Sequence, residues 1–82
     1  MADPLLTTTQ LGRMLQSARK AKGMTQAAVG ARVGLSQKRI SALEIAPGTI
    51  TAEQLLKLCA VLGLELTIGL ASQVRDSDKF GW

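Results

Sequence analysis

The chain has 82 residues, enough for one small domain whose hydrophobic core alone is only marginally stabilising. Apolar residues make up 46% of it but aromatic residues only 2%, so the core must be aliphatic; the single cysteine excludes an internal disulfide, and no apolar run approaches the ~18 residues of a membrane span. The net charge is +4, and residues 1–44 hold seven Lys and Arg against Asp3 and Glu44, which favours a polyanionic partner; the alternative is a solvated basic face that only keeps the protein soluble.

Residues 1–6 carry Pro4 and little pattern, and we expect a loose N-terminal arm. Thr7 and Gln10 have the spacing of a capping box, and Gly23 is placed to end the helix that follows, so the pattern predicts a helix over about 8–22. One face of this helix is apolar, at Leu11, Met14, Leu15 and Ala18. Gly12 within it indicates close packing against a neighbouring segment.

Residues 24–44 contain the same helix-start pattern twice. An apolar residue, a hydroxyl residue and a second apolar residue four positions further on occur as Met24-Thr25-Val29 and as Leu35-Ser36-Ile40, 11 residues apart. Gly34 between them allows a positive φ, and Gly30 leaves room for close approach of the next helix. Helices over about 26–33 and from 37 to 44 or 45, joined by a tight turn, form a helix-turn-helix.

A fourth helix start follows the turn predicted at Pro47-Gly48. Thr51 and Gln54 form a second capping-box pattern, and Gly63 closes a helix over about 52–62. Its apolar face consists of Leu55, Leu58, Cys59 and Leu62, which predicts Cys59 to be a buried thiol in a reducing cytoplasm.

Residues 64–70 change the hydrophobic period from 3.6 to 2, which predicts a half-buried β-strand. No second strand pattern exists in the sequence, and a lone strand leaves its backbone groups unpaired. We therefore expect it to pair with the same strand of a second chain across a two-fold axis; the alternative is an extended tail lying on the helices. The apolar face of this dimerisation strand comprises Leu64, Leu66, Ile68 and Leu70.

Residues 71–82 are polar and charged without a period, and we expect a flexible tail. They nevertheless contain both aromatic residues of the chain, Phe80 and Trp82. Since Trp is the residue most enriched at binding hot spots, Trp82 and Phe80 are candidate contacts to a partner protein; the alternative is that they have no such role.

The third helix carries the candidate DNA-reading side chains. At 100° per residue, Ile40 and Leu43 point inward, whereas Lys38, Ser41 and Ala42 point outward with Gln37 at the leading edge. In a major groove, Gln37 can pair with adenine, Lys38 can donate to guanine, Ser41 can donate or accept, and Ala42 can touch a thymine methyl.

Arg39 lies nearer the flank of this helix, where a phosphate contact is expected. Gln26 follows the cap residue Thr25 at a helix N-terminus, a position suited to binding a phosphate. We expect both Gln26 and Thr25 to contact phosphate. The alternative for Gln37 to Arg39 is an ordinary polar helix face.

Several of these residues resemble the Xre/Cro/CI helix-turn-helix family: Arg19, Gly23-x-Thr25-Gln26, Gly34-x-Ser36-Gln37, Ile40-Ser41 and Leu43-Glu44. The resemblance spans about residues 10–63. It implies a lambda-repressor-like bundle of four helices, here all-α with a C-terminal β-strand. It further implies a structural ion pair between Arg19 and Glu44, base contacts from Ser36, Gln37 and Lys38, and a phosphate contact from Gln26. The sequence departs from the pattern at Gly30, where Ala is usual, and in a longer turn after Glu44.

The segment 62–68 and the Trp-ending tail resemble HipB-type antitoxins. That resemblance implies C-terminal strands paired across a dimer, a terminal Trp that engages the HipA kinase toxin, and repression of the protein's own transcription.

The sequence therefore predicts a bacterial, cytoplasmic, nucleoid-associated repressor and antitoxin. We expect a homodimer that presents two recognition helices about 34 Å apart to a palindromic site on double-stranded DNA. A stand-alone repressor without a toxin and, more remotely, a protein-interaction adaptor are the alternatives. An enzyme is a poor fit because the chain has no His, no metal-ligand cluster and no Gly-rich phosphate loop, and we expect no cofactor. The expected organisation is an arm (1–6), a DNA-binding domain (7–63), a dimerisation strand (64–70) and a tail (71–82).

Overall fold

Four α-helices and one 3₁₀ turn form the part of the chain that this computed structural model describes, residues 7–70. The four predicted helices are confirmed, with ends within a residue of those expected. The elements in order are α1 (Thr8–Ala21), α2 (Gln26–Val33), α3 (Gln37–Ile45), the 3₁₀ turn (Pro47–Thr49) and α4 (Ala52–Leu62).

Each α-helix begins at the hydroxyl residue that the sequence pattern marks. In every case the side-chain oxygen accepts the backbone N–H three residues on, one of the donors that the first helical turn leaves without a partner. The pairs are Thr7 with Gln10, Thr25 with Ala28, Ser36 with Arg39, and Thr51 with Gln54. Both predicted capping boxes are complete, because the Gln10 and Gln54 side chains accept the N–H of Thr7 and Thr51. The helix starts are therefore set locally.

The turn between α2 and α3 depends on Gly34, whose φ is +77°. A side chain at this position would be strained whatever the space around it. The Leu35 N–H donates to the Gly30 carbonyl at 2.8 Å, which closes the turn between the two helices.

The core lies where all four helices meet and is aliphatic, as predicted. Ile40 and Leu43 of α3 face inward with 2% and 1% of their surface exposed, which confirms the orientation predicted for this helix. Cys59 is also buried, and this burial raises the pKa of its thiol. The buried cluster comprises Leu15, Val29, Val33, Ile40, Leu43, Leu58 and Leu62.

Two glycines inside helices permit close backbone approach. A Cβ on Gly12 would collide with the Glu44 carbonyl oxygen and lie 3.3 Å from Cδ of Pro47, so α1 touches the end of α3 directly. A Cβ on Gly30 would collide with the Leu35 carbonyl oxygen. The close packing predicted at both glycines is confirmed, and it fixes α3 against its two neighbours.

Residues 64–70 carry neither helix nor strand, and no strand occurs anywhere in residues 7–70. Leu64 packs against the core, whereas Leu66, Ile68 and Leu70 are 40%, 90% and 88% exposed. The pairing of this segment with a second chain stays a prediction. The expected arm (1–6) and tail (71–82), with Phe80 and Trp82, lie outside the described residues. No helix within the described part is long and apolar enough to cross a membrane.

Candidate nucleic-acid interface

Helix α3 presents a polar face to solvent and an apolar face to the core. Gln37, Lys38 and Ala42 are exposed, while Ile40 and Leu43 anchor the opposite side. Ser36, immediately before the helix, is also exposed, and Ser41 is half-buried. Four of the five side chains predicted to contact bases are therefore freely accessible, and Ser41 is accessible only in part.

The cap hydroxyls are already engaged as acceptors. Ser36 Oγ accepts from the Arg39 N–H at 3.0 Å, and Thr25 Oγ1 accepts from the Ala28 N–H at 3.0 Å. Because a hydroxyl also carries one hydrogen, each can still donate to a base or to a phosphate oxygen. The cap bond holds each hydroxyl at the leading end of its helix.

Arg19 and Glu44 form a bidentate ion pair that ties α1 to α3. Arg19 Nε lies 2.6 Å from Glu44 Oε2, and Nη2 donates to Oε1 at 3.1 Å. The third nitrogen, Nη1, donates to the Met24 carbonyl at 3.0 Å, in the turn before α2. The side chains are 11% and 4% exposed, so this pair is largely removed from water.

The burial of Glu44 and its partners act on its pKa in opposite directions. Desolvation raises the pKa of the carboxyl, but the hydrogen bonds from Arg19 and Gln26, the Arg19 charge and Gln16 outweigh it, so the pKa lies below its ordinary value. The same hydrogen bond raises the pKa of the Arg19 guanidinium against the opposing effect of burial. Glu44 is therefore an anion at neutral pH.

The Gln26 side chain lies between α3 and the ion pair. Its Nε2 donates to Glu44 Oε1 at 3.0 Å, and its Oε1 accepts from Gln37 Nε2 at 2.6 Å. The sequence predicts a phosphate contact for this amide and does not reveal either protein contact. The available signal was the repeated hydroxyl-Gln pair, which puts Gln26 and Gln37 at the first position of successive helices.

Arg39 is half-buried and connects α3 to the turn that follows it. Its Nη2 donates to the Thr49 carbonyl at 3.3 Å, a contact that the sequence did not reveal. A guanidinium has five N–H donors in a planar fork, so the remaining ones are available to a phosphate on the flank of the helix.

The charges of residues 7–52 are of one sign at the surface. The only acid in this range, Glu44, is buried against Arg19. The remaining cations are Arg13, Lys20, Lys22, Arg32 and Lys38, all exposed, and Arg39. Within residues 7–70, no group of three or more His, Cys, Asp or Glu side chains could hold a metal ion. The arrangement can attract and grip a polyanion.

Comparison with known proteins identifies the same unit. The profile of the helix-turn-helix family matches residues 15–68. None of the curated proteins compared with this chain matches it in sequence.

Among solved structures, a HipB variant in complex with the O2 20mer is 28% identical, covers 87% of this chain and 99% of its own, and superposes with a TM-score of 0.77. A chain of a HipA–HipB–O2–O3 complex is 26% identical, covers 85% of this chain and 99% of its own, and superposes with a TM-score of 0.76. The HipB chain in complex with the O4 20mer is 27% identical, has the same two coverages and also superposes with a TM-score of 0.76.

Proposed function

Because this chain belongs to the helix-turn-helix family and is a DNA-binding regulator rather than an enzyme, we propose that it is a sequence-specific repressor and antitoxin. It binds a palindromic operator as a homodimer in the cytoplasm, represses its own transcription and binds a HipA-like kinase toxin. Sequence-specific DNA binding is supported chiefly by the orientation of α3, which exposes Gln37, Lys38 and Ala42 while its opposite face packs in the core. The likeness to HipB in complexes with 20mers supports it.

In this proposal α3 lies in the major groove with its exposed face toward the base edges. Gln37 offers both a donor and an acceptor to adenine, and Lys38 donates to guanine O6 and N7. Ala42 contacts a thymine methyl, while Ser36 and Ser41 supply hydroxyl donors to neighbouring positions. The ends of α3 are fixed by the Ser36 cap and by Glu44, which supports a defined register on the bases.

Phosphate contacts flank the groove. The Thr25 hydroxyl and the free N–H groups at the start of α2, including that of Gln26, face one strand, and Arg39 faces the other side of α3. The Gln26 amide is engaged by Glu44 and Gln37, so its contribution comes from the backbone N–H and the second Nε2 hydrogen. The exposed cations of α1 and α2 add a sequence-independent attraction.

Dimerisation through residues 64–70 gives the second recognition helix. Ile68 and Leu70 are almost fully exposed in the single chain, and the alternating pattern puts them on one face with Leu66 and Leu64. Antiparallel pairing of two such strands would cover these side chains and satisfy their backbone groups. This supports a two-fold dimer with recognition helices about one DNA turn apart.

The toxin-binding part rests on the likeness to a HipA–HipB complex and on the sequence of the tail. Phe80 and Trp82 supply the aromatic side chains suited to a pocket on a kinase toxin. Removal of residues 79–82 should leave DNA affinity unchanged and should abolish co-purification with a HipA-like kinase encoded beside this gene. Unchanged co-purification would leave a repressor whose tail has no antitoxin role.

The DNA-binding proposal is tested by comparing two lysine variants of equal charge. Fluorescence anisotropy with duplexes tiling the DNA upstream of the gene locates a binding site, and single-base changes then measure base preference. Lys38→Ala should relax preference at one position per half-site, by about 1–3 kcal/mol. Lys57→Ala removes an exposed cation of α4 that pairs with Glu53, and it should leave base preference intact. An equal loss for every sequence with Lys38→Ala would assign Lys38 to a phosphate, and absence of any duplex binding would favour an adaptor.

A further inference from the structure

Helix α3 ends on a large apolar side chain that faces solvent. Ile45, its last residue, is 77% exposed, whereas Ile40 and Leu43 of the same helix are buried in the core. Single exposed aliphatic residues are common on protein surfaces, so exposure alone assigns no role to Ile45. Its position on the helix decides what it can contact.

Ile45 lies on the face of α3 that carries the proposed base contacts. Seven residues separate it from Lys38, and seven steps of about 100° come within about 20° of two full turns. Ala42, three residues before Ile45, is exposed between them. Lys38, Ala42 and Ile45 therefore form a continuous strip about 10 Å long.

The backbone around Ile45 is anchored on both sides. Glu44, immediately before it, is buried in an ion pair, and Pro47, two residues after it, is fully buried. The Ala46 N–H donates to the Ala42 carbonyl at 2.8 Å, which completes the last turn of the helix. A β-branched side chain in a helix also keeps mainly one χ1 rotamer, so Ile45 loses little freedom when it makes a contact.

We propose that Ile45 is a specificity residue that packs against the C5-methyl group of a thymine in the major groove. An isoleucine side chain has no hydrogen-bond donor for a phosphate oxygen, and the thymine methyl is the apolar group that base pairs present in this groove. The thymine should lie beyond the one that Ala42 contacts, on the side away from the base that Lys38 contacts. This inference rests on the proposed placement of α3 in the major groove.

The alternative is that Ile45 contacts a protein, either a second chain or a kinase toxin. The charges around it favour DNA, because residues 7–52 carry exposed cations and their one acid, Glu44, is buried. Replacement of thymine by uracil removes the methyl group and leaves the hydrogen-bonding edge of the base unchanged. The effect of this replacement on affinity therefore distinguishes the two partners.

The test compares the best-binding duplex with duplexes in which each thymine of one half-site is replaced, in turn, by uracil. Fluorescence anisotropy of the wild type should show a loss of affinity of about three- to fourfold at the thymine that Ile45 contacts, the effect of one buried methyl group. Ile45→Ala should bind the thymine and uracil duplexes at that position with nearly equal affinity, and it should keep the loss at the thymine that Ala42 contacts. Leu56→Ala, which removes a side chain of α4 that is 56% exposed, is the matched control and should retain the losses of the wild type.

Uracil losses that are the same in Ile45→Ala as in the wild type would overturn the inference. Weaker binding of Ile45→Ala to a second chain or to a kinase toxin, with unchanged uracil losses, would also overturn it and would assign Ile45 to a protein contact. In both cases a relaxed base preference of Lys38→Ala would leave the proposed function standing. If no duplex were bound in preference to others, the proposed function would fail together with the inference.

Discussion

Replacement of Arg19 by Met tests how much the buried Arg19–Glu44 ion pair stabilises the fold. The methionine keeps an unbranched apolar stem but removes both bonds to Glu44 and the bond to the Met24 carbonyl. The Glu44 carboxylate, 4% exposed, would then be an anion without its counter-charge. We expect the free energy of unfolding to fall.

The size of the fall follows from this burial. Truncating one partner of a buried ion pair costs about 3–5 kcal/mol, because the remaining charge is left desolvated and unpaired. A domain of this length has a total stability of about 4–12 kcal/mol, so the variant should lose a large share of it.

Urea denaturation followed by far-UV circular dichroism measures the difference, with Lys57→Met as the matched control. The Lys57–Glu53 pair is a single contact of 3.4 Å on the surface of α4, and its loss should cost no more than about 0.5 kcal/mol. The double variant Arg19→Met/Glu44→Leu should recover much of the loss, since it removes the stranded charge. Equal effects of Arg19→Met and Lys57→Met would refute the reasoning.

Three further predictions concern packing, pH and assembly. Gly12→Ala should destabilise the fold by about 1–3 kcal/mol in thermal unfolding despite the better helix propensity of Ala, because its Cβ meets the Glu44 carbonyl; Gly48→Ala enters open space and should be neutral. The pKa of Glu44 lies below its ordinary 4.5, so the stabilisation that Glu44 contributes is complete above that pH and is lost as the pH falls through the folded-state pKa. The free energy of unfolding of Glu44→Gln, measured by urea denaturation across this range, should lack that loss. Equal decreases of this free energy with falling pH in the wild type and in Glu44→Gln would contradict the prediction. Ile68→Glu should yield a monomer in sedimentation velocity, whereas Thr67→Glu, on the other face of the predicted strand, should remain a dimer; two dimers would rule out the strand interface.

The helices were predictable because their signals are local. Each start depends on a hydroxyl residue and the backbone N–H three positions on, as at Thr7 and Thr51, and α2 ends on a glycine with positive φ, Gly34. The inward direction of Ile40 and Leu43 follows from helical periodicity alone. The tight contact at Gly12 was expected, but not its partner, because the Glu44 carbonyl comes from a distant segment.

Helical periodicity predicts the candidate site only as a set of outward-facing residues, and the Arg19–Glu44 ion pair is expected only from the family resemblance. The internal hydrogen bonds of the site join side chains that are 11 to 25 residues apart, such as Gln26 to Gln37 and Arg19 to Glu44. Sequence periodicity indicates the face of a helix but not the partner of an amide, so the sequence alone predicts a phosphate contact for the Gln26 amide. The strand predicted at 64–70 is a different case, because this segment carries no strand in the single chain and its pairing with a second chain stays a prediction.

Selection of binding sites from random-sequence duplexes by the wild-type protein tests the central claim most directly. Two α3 helices related by a two-fold axis should enrich an inverted repeat whose half-sites are centred about 10 base pairs apart. Lys38→Ala should enrich the same repeat with one position per half-site degenerate. No enriched sequence, or an enriched sequence without two-fold symmetry, would contradict a dimer that reads DNA through α3.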